Sequence, residues 1–173
     1  KKLKTRPTSQ IIFSLVWGVP ILLVLPLYVG FRLSFWLDQA LNLIQPIPIP
    51  ANFIFGLILW LIFLPIYFLA ASFLIKFGGG SPNPYHASPP NLVTIGPYCH
   101  IRHPMNLSYP FLILGVAFFV NSFSAVFILT PISALVFWFH ALVLQERELI
   151  KNFGKTYLDY KEETPAFFPK FDK

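Results

Sequence analysis

The fold is decided by residues 52–75, NFIFGLILWLIFLPIYFLAASFLI, because they form 24 consecutive positions without a charged side chain. A helix of this length, rising about 1.5 Å per residue, is long enough to cross roughly 30 Å of hydrocarbon. A second uncharged run covers residues 11–31, and its prolines are of a kind that membrane helices tolerate. We therefore predict an integral membrane protein whose first two spans cover about residues 11–32 and 52–76.

Two more apolar runs follow in the second half of the chain, at residues 105–120 and 123–144. Only a short polar break at Asn121 and Ser122 separates them, which indicates a tight helical hairpin. The fold class that we predict is an all-α integral membrane protein with about four transmembrane helices. We expect residues 1–173 to form a single membrane domain.

The segments between and after these runs are polar. Residues 77–103 contain glycines, prolines and histidines, so they are unsuited to lipid and predict a proline-rich loop. A loop of this length is often functional when it is ordered. From Gln145 to about Lys161, apolar side chains recur at helical spacing among charges, which predicts a C-terminal amphipathic helix.

Composition and charge favour the same topology. The chain is 55% hydrophobic and 12% charged, whereas soluble domains carry roughly 25% charged residues. Four spans would put twelve of the thirteen Lys and Arg residues on one face and only Arg32 on the other. The positive-inside rule then predicts cytoplasmic N- and C-termini. Because the cations flank apolar runs, they favour contact with membrane lipids, not with nucleic acid.

Two polar clusters lie at the ends of the predicted hairpin. Residues 98–103 lead into its first helix, and residues 145–148 follow its second, so we expect them to meet on the cytoplasmic face. Arg102 suits a carboxylate and Glu146 suits an ammonium group, so together they favour a zwitterionic ligand. The alternative is that Arg102 and Glu146 pair with each other or with lipid headgroups.

A metal site is not predicted. The single cysteine, Cys99, rules out an intramolecular disulfide and a cysteine metal cluster. His86, His100, His103 and His140 have no carboxylate or thiolate at ligand spacing. His100 and His103 are three residues apart, but Pro104 disfavours a helix that would put them on one face.

The two clusters also carry a family resemblance. The motifs Gly96-Pro97-Tyr98 and Arg102-His103-Pro104-Met105 are followed roughly forty residues later by Glu146, and then by a tail containing Phe153-Gly154, Tyr157, Tyr160, Pro165 and Pro169. This pattern resembles the isoprenylcysteine carboxyl methyltransferases and phospholipid methyltransferases, a group of integral membrane enzymes. The resemblance covers residues 78–169, which would be the cofactor-binding half.

The resemblance implies methyl transfer from S-adenosyl-L-methionine to a lipid-borne or lipophilic acceptor, such as an isoprenylcysteine carboxylate, at the membrane surface. It implies that Arg102 orients the cofactor carboxylate, Glu146 its ammonium group, and His103 the adjoining polar contacts. These three are the candidate catalytic residues. The implied cofactor-binding residues are Tyr98, His100, Arg102, His103, Pro104, Glu146 and Tyr157.

The sequence departs from the family pattern at two positions, and other functions stay open. Asn106 stands where the family usually has tyrosine, and Gln145 where it often has glutamate. Membrane sterol reductases carry a similar Arg-His-Pro element with NADPH, although this chain has few spare cations for the extra phosphate. A non-catalytic membrane protein that retains the fold is a further alternative. The methyl acceptor and the choice between O- and N-methylation are not fixed by the sequence.

Overall fold

The computed structural model describes residues 25–79 and 89–168, and in these ranges the chain is helical without any β-strand. The first helix among these residues, α1, covers Leu25–Ala40. It extends eight residues beyond the predicted end of the first span, into the stretch between the first two predicted spans. No proline lies between residues 27 and 45, so the helix continues to Ala40 and ends in a turn at Asn42, whose φ of 50° is left-handed. Three alternating prolines follow at positions 46, 48 and 50 and prevent a new helix from starting before residue 51. Residues 11–24 of the first predicted span lie outside the described residues.

Helix α2 covers Ala51–Phe73 and continues through a wider π-helical turn at Leu74–Gly78. The whole helix, Ala51–Gly78, has 28 residues and is long and apolar enough to cross a membrane. Only 11% of its apolar window is buried inside the protein. A core helix of a soluble domain would be mostly buried, so the exposed apolar surface favours lipid as its surroundings.

Helix α3 covers Pro104–Phe119 and is antiparallel to α2. The indole N–H of Trp60 donates to Leu112 O at 3.1 Å, and the Phe63 and Phe111 rings stack at 4.1 Å. The backbones approach closely at Gly115, where an added Cβ would lie 2.4 Å from Trp60 Cδ1 and 3.2 Å from Gly56 O. Small residues at such crossings are typical of helix packing in membranes.

The third predicted run ends at a turn, where Asn121 has a left-handed φ of 51°. Asp38 then fixes α1 to this turn, because it accepts from Ser122 Oγ at 2.5 Å and from the Ser124 backbone N–H at 2.8 Å. A continuous 29-residue helix, Ala125–Phe153, follows and is the second helix long and apolar enough to cross a membrane. Its regular parts are α4, Thr130–Phe139, and α5, Glu146–Phe153, with π-helical segments before each.

The C-terminal part differs from the single amphipathic helix that we predicted from Gln145 to Lys161. The backbone is unbroken at residue 145 and instead breaks at Gly154, where φ is 54° and ψ is −128°. A separate helix, α6, then covers Lys155–Glu163. The apolar positions Leu149, Phe153, Tyr157 and Tyr160 are buried or half-buried on both sides of this glycine, whereas Ile150 is exposed. Residues 80–88, with His86 and most of the proline-rich loop, and Pro169 in the tail lie outside the described residues.

Candidate functional site

The antiparallel α3 and α4 bring the two predicted polar clusters together. Tyr109 on α3 stacks on Phe137 of α4 with ring centroids 4.7 Å apart. The beginning of α3 therefore lies beside the beginning of α5. Pro104 is the first residue of α3, a position where its missing N–H costs nothing and its fixed φ suits the helix. Arg102 and His103 precede it directly and point their side chains toward α5.

A short 3₁₀ turn, Gly96–Cys99, leads into this position. Gly96 has a φ of 64°, and an added Cβ would lie 2.3 Å from a ring carbon of Phe73. Only glycine satisfies both the backbone conformation and this close approach. The turn thereby holds Tyr98 against the core formed by Ala70, Ala71 and Met105.

Glu146 is the centre of a buried ion cluster. Its Oε1 accepts from Arg102 Nη2 at 2.7 Å, from Arg102 Nε at 3.1 Å and from His103 Nε2 at 3.3 Å. Its Oε2 pairs with Lys161 Nζ on α6 at 2.5 Å. The side chain of Glu146 is 4% exposed, so its negative charge depends on these partners instead of water.

Arg102 also binds the C-terminal segment of the chain. Its Nη1 donates to Lys161 O at 3.0 Å and to Thr164 O. The backbone N–H groups of Arg102 and His103 donate to Pro165 O at 2.8 Å and to Ala166 O at 3.0 Å. Main-chain and side-chain hydrogen bonds of two adjacent residues thus hold α6 and the following segment over the ion cluster.

His103 is neutral at pH 7. Burial lowers the pKa of its imidazole below the usual value, and the hydrogen bond with Glu146 opposes this shift only in part. His103 therefore donates from Nε2 to the Glu146 carboxylate without adding a charge. Its ring lies 5.9 Å from that of Phe167, which in turn stacks on Trp138 at 5.2 Å.

Two tyrosines of α6, Tyr157 and Tyr160, lie beside the ion cluster, and a third, Tyr98, contacts Tyr160 through its backbone carbonyl. Tyr160 donates its hydroxyl to Tyr98 O at 2.6 Å. Tyr157 is fully buried, and its hydroxyl has no hydrogen-bond partner among the described residues. Burial raises the pKa of all three hydroxyls, and the charge of Glu146 adds to this effect at Tyr157. Tyr157 is therefore a neutral buried donor that lies beside Arg102 and Glu146 without a well-formed hydrogen bond to either.

The two departures from the family pattern contact each other. Asn106 Nδ2 donates to Gln145 Oε1 at 2.8 Å, between the first turn of α3 and the residue before Glu146. Asn106 is buried. The two amides therefore satisfy one another beside the ion cluster, without adding a charge to it.

The structure brings four of the predicted site residues together and leaves one apart. The four that meet at the ion cluster are Arg102, His103, Glu146 and Tyr157. Pro104 begins the helix that supports the cluster, and Tyr98 is connected to it through the hydrogen bond from Tyr160. His100 is exposed and contacts Cys99, with 3.0 Å between Nδ1 and Sγ. No group of three or more His, Cys, Asp or Glu side chains suited to a metal occurs in residues 25–79 or 89–168.

Sequence reasoning missed Lys161, which forms the shortest ion pair of Glu146. Its position carries a signal, because Lys161 follows the predicted Tyr157 by four residues and so shares its face of the helix. Its charge also fits a cation that flanks the apolar runs, so the sequence alone does not single it out.

The described residues are helical, with two long apolar helices and an ion cluster at the end of a hairpin, and these features suit a membrane-associated helical protein. The family model described as phospholipid methyltransferase matches residues 51–156. The match covers more than half of the 173 residues, and the chain belongs to the phospholipid methyltransferase family, as the sequence motifs predicted. No match was found among curated proteins. The matched region contains Arg102, His103 and Glu146, whereas Tyr157 and Lys161 lie just beyond it.

Proposed function

We propose that this protein is a membrane methyltransferase that uses S-adenosyl-L-methionine and acts on a lipophilic acceptor carrying a carboxylate, such as an isoprenylcysteine. Family membership supports methyl transfer. The observation that carries the cofactor assignment is the ion cluster of buried Arg102 and Glu146 with the partly exposed Lys161, beside the unpartnered hydroxyl of Tyr157.

The chemistry of this cluster fits the amino-acid end of the cofactor. That end carries one carboxylate and one ammonium group, and the cluster offers two cations and one carboxylate. The Tyr157 hydroxyl supplies a further donor that is already desolvated and has no partner among the described residues. Such a donor costs free energy when it is left unpaired and recovers it when a ligand accepts from it.

The residues of this chain have mainly binding and orienting roles in the proposed reaction. S-adenosyl-L-methionine supplies a methyl group already activated on a sulfonium, so alignment and exclusion of water are what the protein must add. Glu146 receives the ammonium group, and neutral His103 holds Glu146 in orientation through Nε2. Helix α6, bound to Arg102 through Lys161 O and Thr164 O, covers the site.

A free donor and the net charge of the site favour an anionic acceptor over a cationic amine. The Tyr157 hydroxyl is assigned to the cofactor, but the indole N–H of Trp138 is also buried without a partner among the described residues. With His103 neutral, the cluster of Arg102, Lys161 and Glu146 has a net charge of +1. A carboxylate is already ionised at pH 7 and needs no general base, whereas an amine would first have to lose a proton.

We also propose four membrane spans with the site and both termini in the cytoplasm. The distribution of Lys and Arg supports this orientation. Cys99 is the only cysteine and is exposed beside the site, so it reports the orientation without any substitution. A membrane-impermeant maleimide should label it in inside-out vesicles and not in right-side-out vesicles. The reverse pattern would contradict the proposed orientation.

The cofactor assignment is tested by calorimetry on the detergent-purified protein with S-adenosylmethionine, S-adenosylhomocysteine and NADPH. We expect the two sulfur compounds to bind and NADPH not to bind. Binding of NADPH alone would move the protein to the reductases, and binding of none would indicate a non-catalytic role. Transfer of a labelled methyl group to carboxylate lipids, compared with aminophospholipids, tests the acceptor.

Tyr157→Phe separates binding from folding in this test. The variant removes a hydroxyl that has no partner among the described residues, so we expect its thermal stability to be equal to or above that of the wild type. Its affinity for the sulfur compounds should fall roughly tenfold, by the value of one hydrogen bond. Tyr160→Phe, which loses its hydrogen bond to Tyr98 O, is the matched control for a structural hydroxyl.

A further inference from the structure

Arg102 has little bonding capacity left for a ligand. A guanidinium has five N–H donors, and Arg102 uses one from Nε, two from Nη1 and one from Nη2, which makes four. Its side chain is 8% exposed. If Arg102 turned toward a ligand carboxylate, it would release Glu146 and two main-chain carbonyls at once. Arg102 is therefore built to hold the site together.

Lys161, the other cation of the cluster, can change its partner more easily than Arg102. Its side chain is 40% exposed, and its Nζ pairs with one atom of the buried carboxylate, Glu146 Oε2. An ammonium group is a compact charge on a flexible stem, and it can change partner without disturbing the backbone. Lys161 also lies on α6, which follows the backbone break at Gly154. The space around Gly154 is open, because an added Cβ there would meet no atom within 4 Å.

We propose that Lys161 is the residue that holds the carboxylate of the amino-acid end of S-adenosylmethionine, in exchange for its ion pair with Glu146. This inference rests on the proposed function and assigns to Lys161 the role that the family resemblance implied for Arg102. Glu146 keeps Arg102 on Oε1 and receives the ligand ammonium group on Oε2 in place of Lys161. The charges of the cluster and of the ligand's amino-acid end are all paired after the exchange, so none of them is left buried and uncompensated, which would be costly.

If the exchange occurs, Lys161 should contribute to the affinity only of ligands that have the amino-acid end. The probes are S-adenosylhomocysteine, which has the carboxylate and the ammonium group, and 5′-methylthioadenosine, which has neither. In Lys161→Met we expect affinity for S-adenosylhomocysteine to fall about 10- to 100-fold, as for loss of a hydrogen bond between charged groups. Affinity for 5′-methylthioadenosine should stay within about twofold. Lys161→Arg, which keeps the charge, should restore a large part of the loss.

The controls separate this inference from the function on which it rests. Lys155→Met removes an exposed cation from the same helix and should leave both affinities unchanged. An equal effect of Lys161→Met on both ligands, or no effect on either, overturns the role of Lys161 but leaves the cofactor assignment standing. A wild-type protein that binds neither nucleoside overturns the proposed function and this inference with it.

Discussion

Replacing Glu146 by glutamine tests whether the ion cluster is a major source of stability. The substitution keeps the shape of the side chain but removes the charge that Arg102 faces at 2.7 Å and Lys161 at 2.5 Å. Arg102 is then buried without an ionic partner, and removal of one member of a buried pair costs about 3–5 kcal/mol. The remaining amide oxygen still accepts one hydrogen bond, so we expect a loss near the lower end, about 3 kcal/mol.

In a chain of this size each kcal/mol lowers the melting temperature by about 2–4 °C, so Glu146→Gln should melt roughly 6–12 °C below the wild type. Intrinsic tryptophan fluorescence during heating in detergent measures this. Glu162→Gln, at an exposed position of α6, is the matched control and should change stability by no more than about 0.5 kcal/mol. Melting of Glu146→Gln within 2 °C of the wild type, on the scale just given, would refute the reasoning.

Three more outcomes are expected. Alanine substitutions at Asn106 and Gln145 should be coupled by about 0.5–1.5 kcal/mol in a double-mutant cycle of thermal unfolding, because the two amides bond each other. Burial lowers the pKa of His103, so the unfolded chain takes up this proton first. Stability should therefore fall as the pH drops below about 6.5, and a His103→Gln variant should show less of this fall in pH-dependent melting. Gly115→Ala should cost about 1–3 kcal/mol in the same melting assay, because its methyl group would overlap Trp60.

Each of these three predictions has its own control or contrary outcome. Strictly additive effects at Asn106 and Gln145 would mean that their hydrogen bond contributes nothing. A pH dependence that is the same with and without His103 would contradict the assigned neutral state. For Gly115→Ala, the control is Leu135→Ala, since Leu135 is 69% exposed on α4, and equal losses in the two variants would contradict close packing at the glycine.

The helices of this protein were largely predictable from the sequence, because an uncharged run of 24 residues has few other folds available. The pairing of the clusters was predictable too, since two polar residues between apolar runs force a hairpin. The break at Gly154 was not, because the apolar face continues through it and only the backbone angles reveal the end of α5. The count of four spans and the cytoplasmic orientation stay predictions.

The contents of the site were predictable in part. Arg102 and Glu146 were recognised as complementary charges, and the alternative that they pair with each other is what the structure contains. Lys161 was missed because its charge had a sufficient explanation as a flanking cation. The role of Thr164, Pro165 and Ala166 could not have been found, because they act through backbone carbonyls. Carbonyls are common to all residue types and leave no trace in the sequence.

Because the carbonyls of Thr164, Pro165 and Ala166 lie near the end of the sequence, the site is completed late in synthesis. Synthesis proceeds from the N-terminus, and the helices that contain residues 51–78 and 125–153 emerge before the segment that closes over Arg102 and His103. The ion cluster stays incomplete until Lys161 has left the ribosome, and the hydrogen bonds that hold the following segment over it need Ala166 as well. A chain that stops after Phe153 would retain both long apolar helices and Glu146, but it would lack Lys161 and the carbonyl partners of Arg102. Premature termination should thus yield a membrane-inserted chain that is unable to methylate.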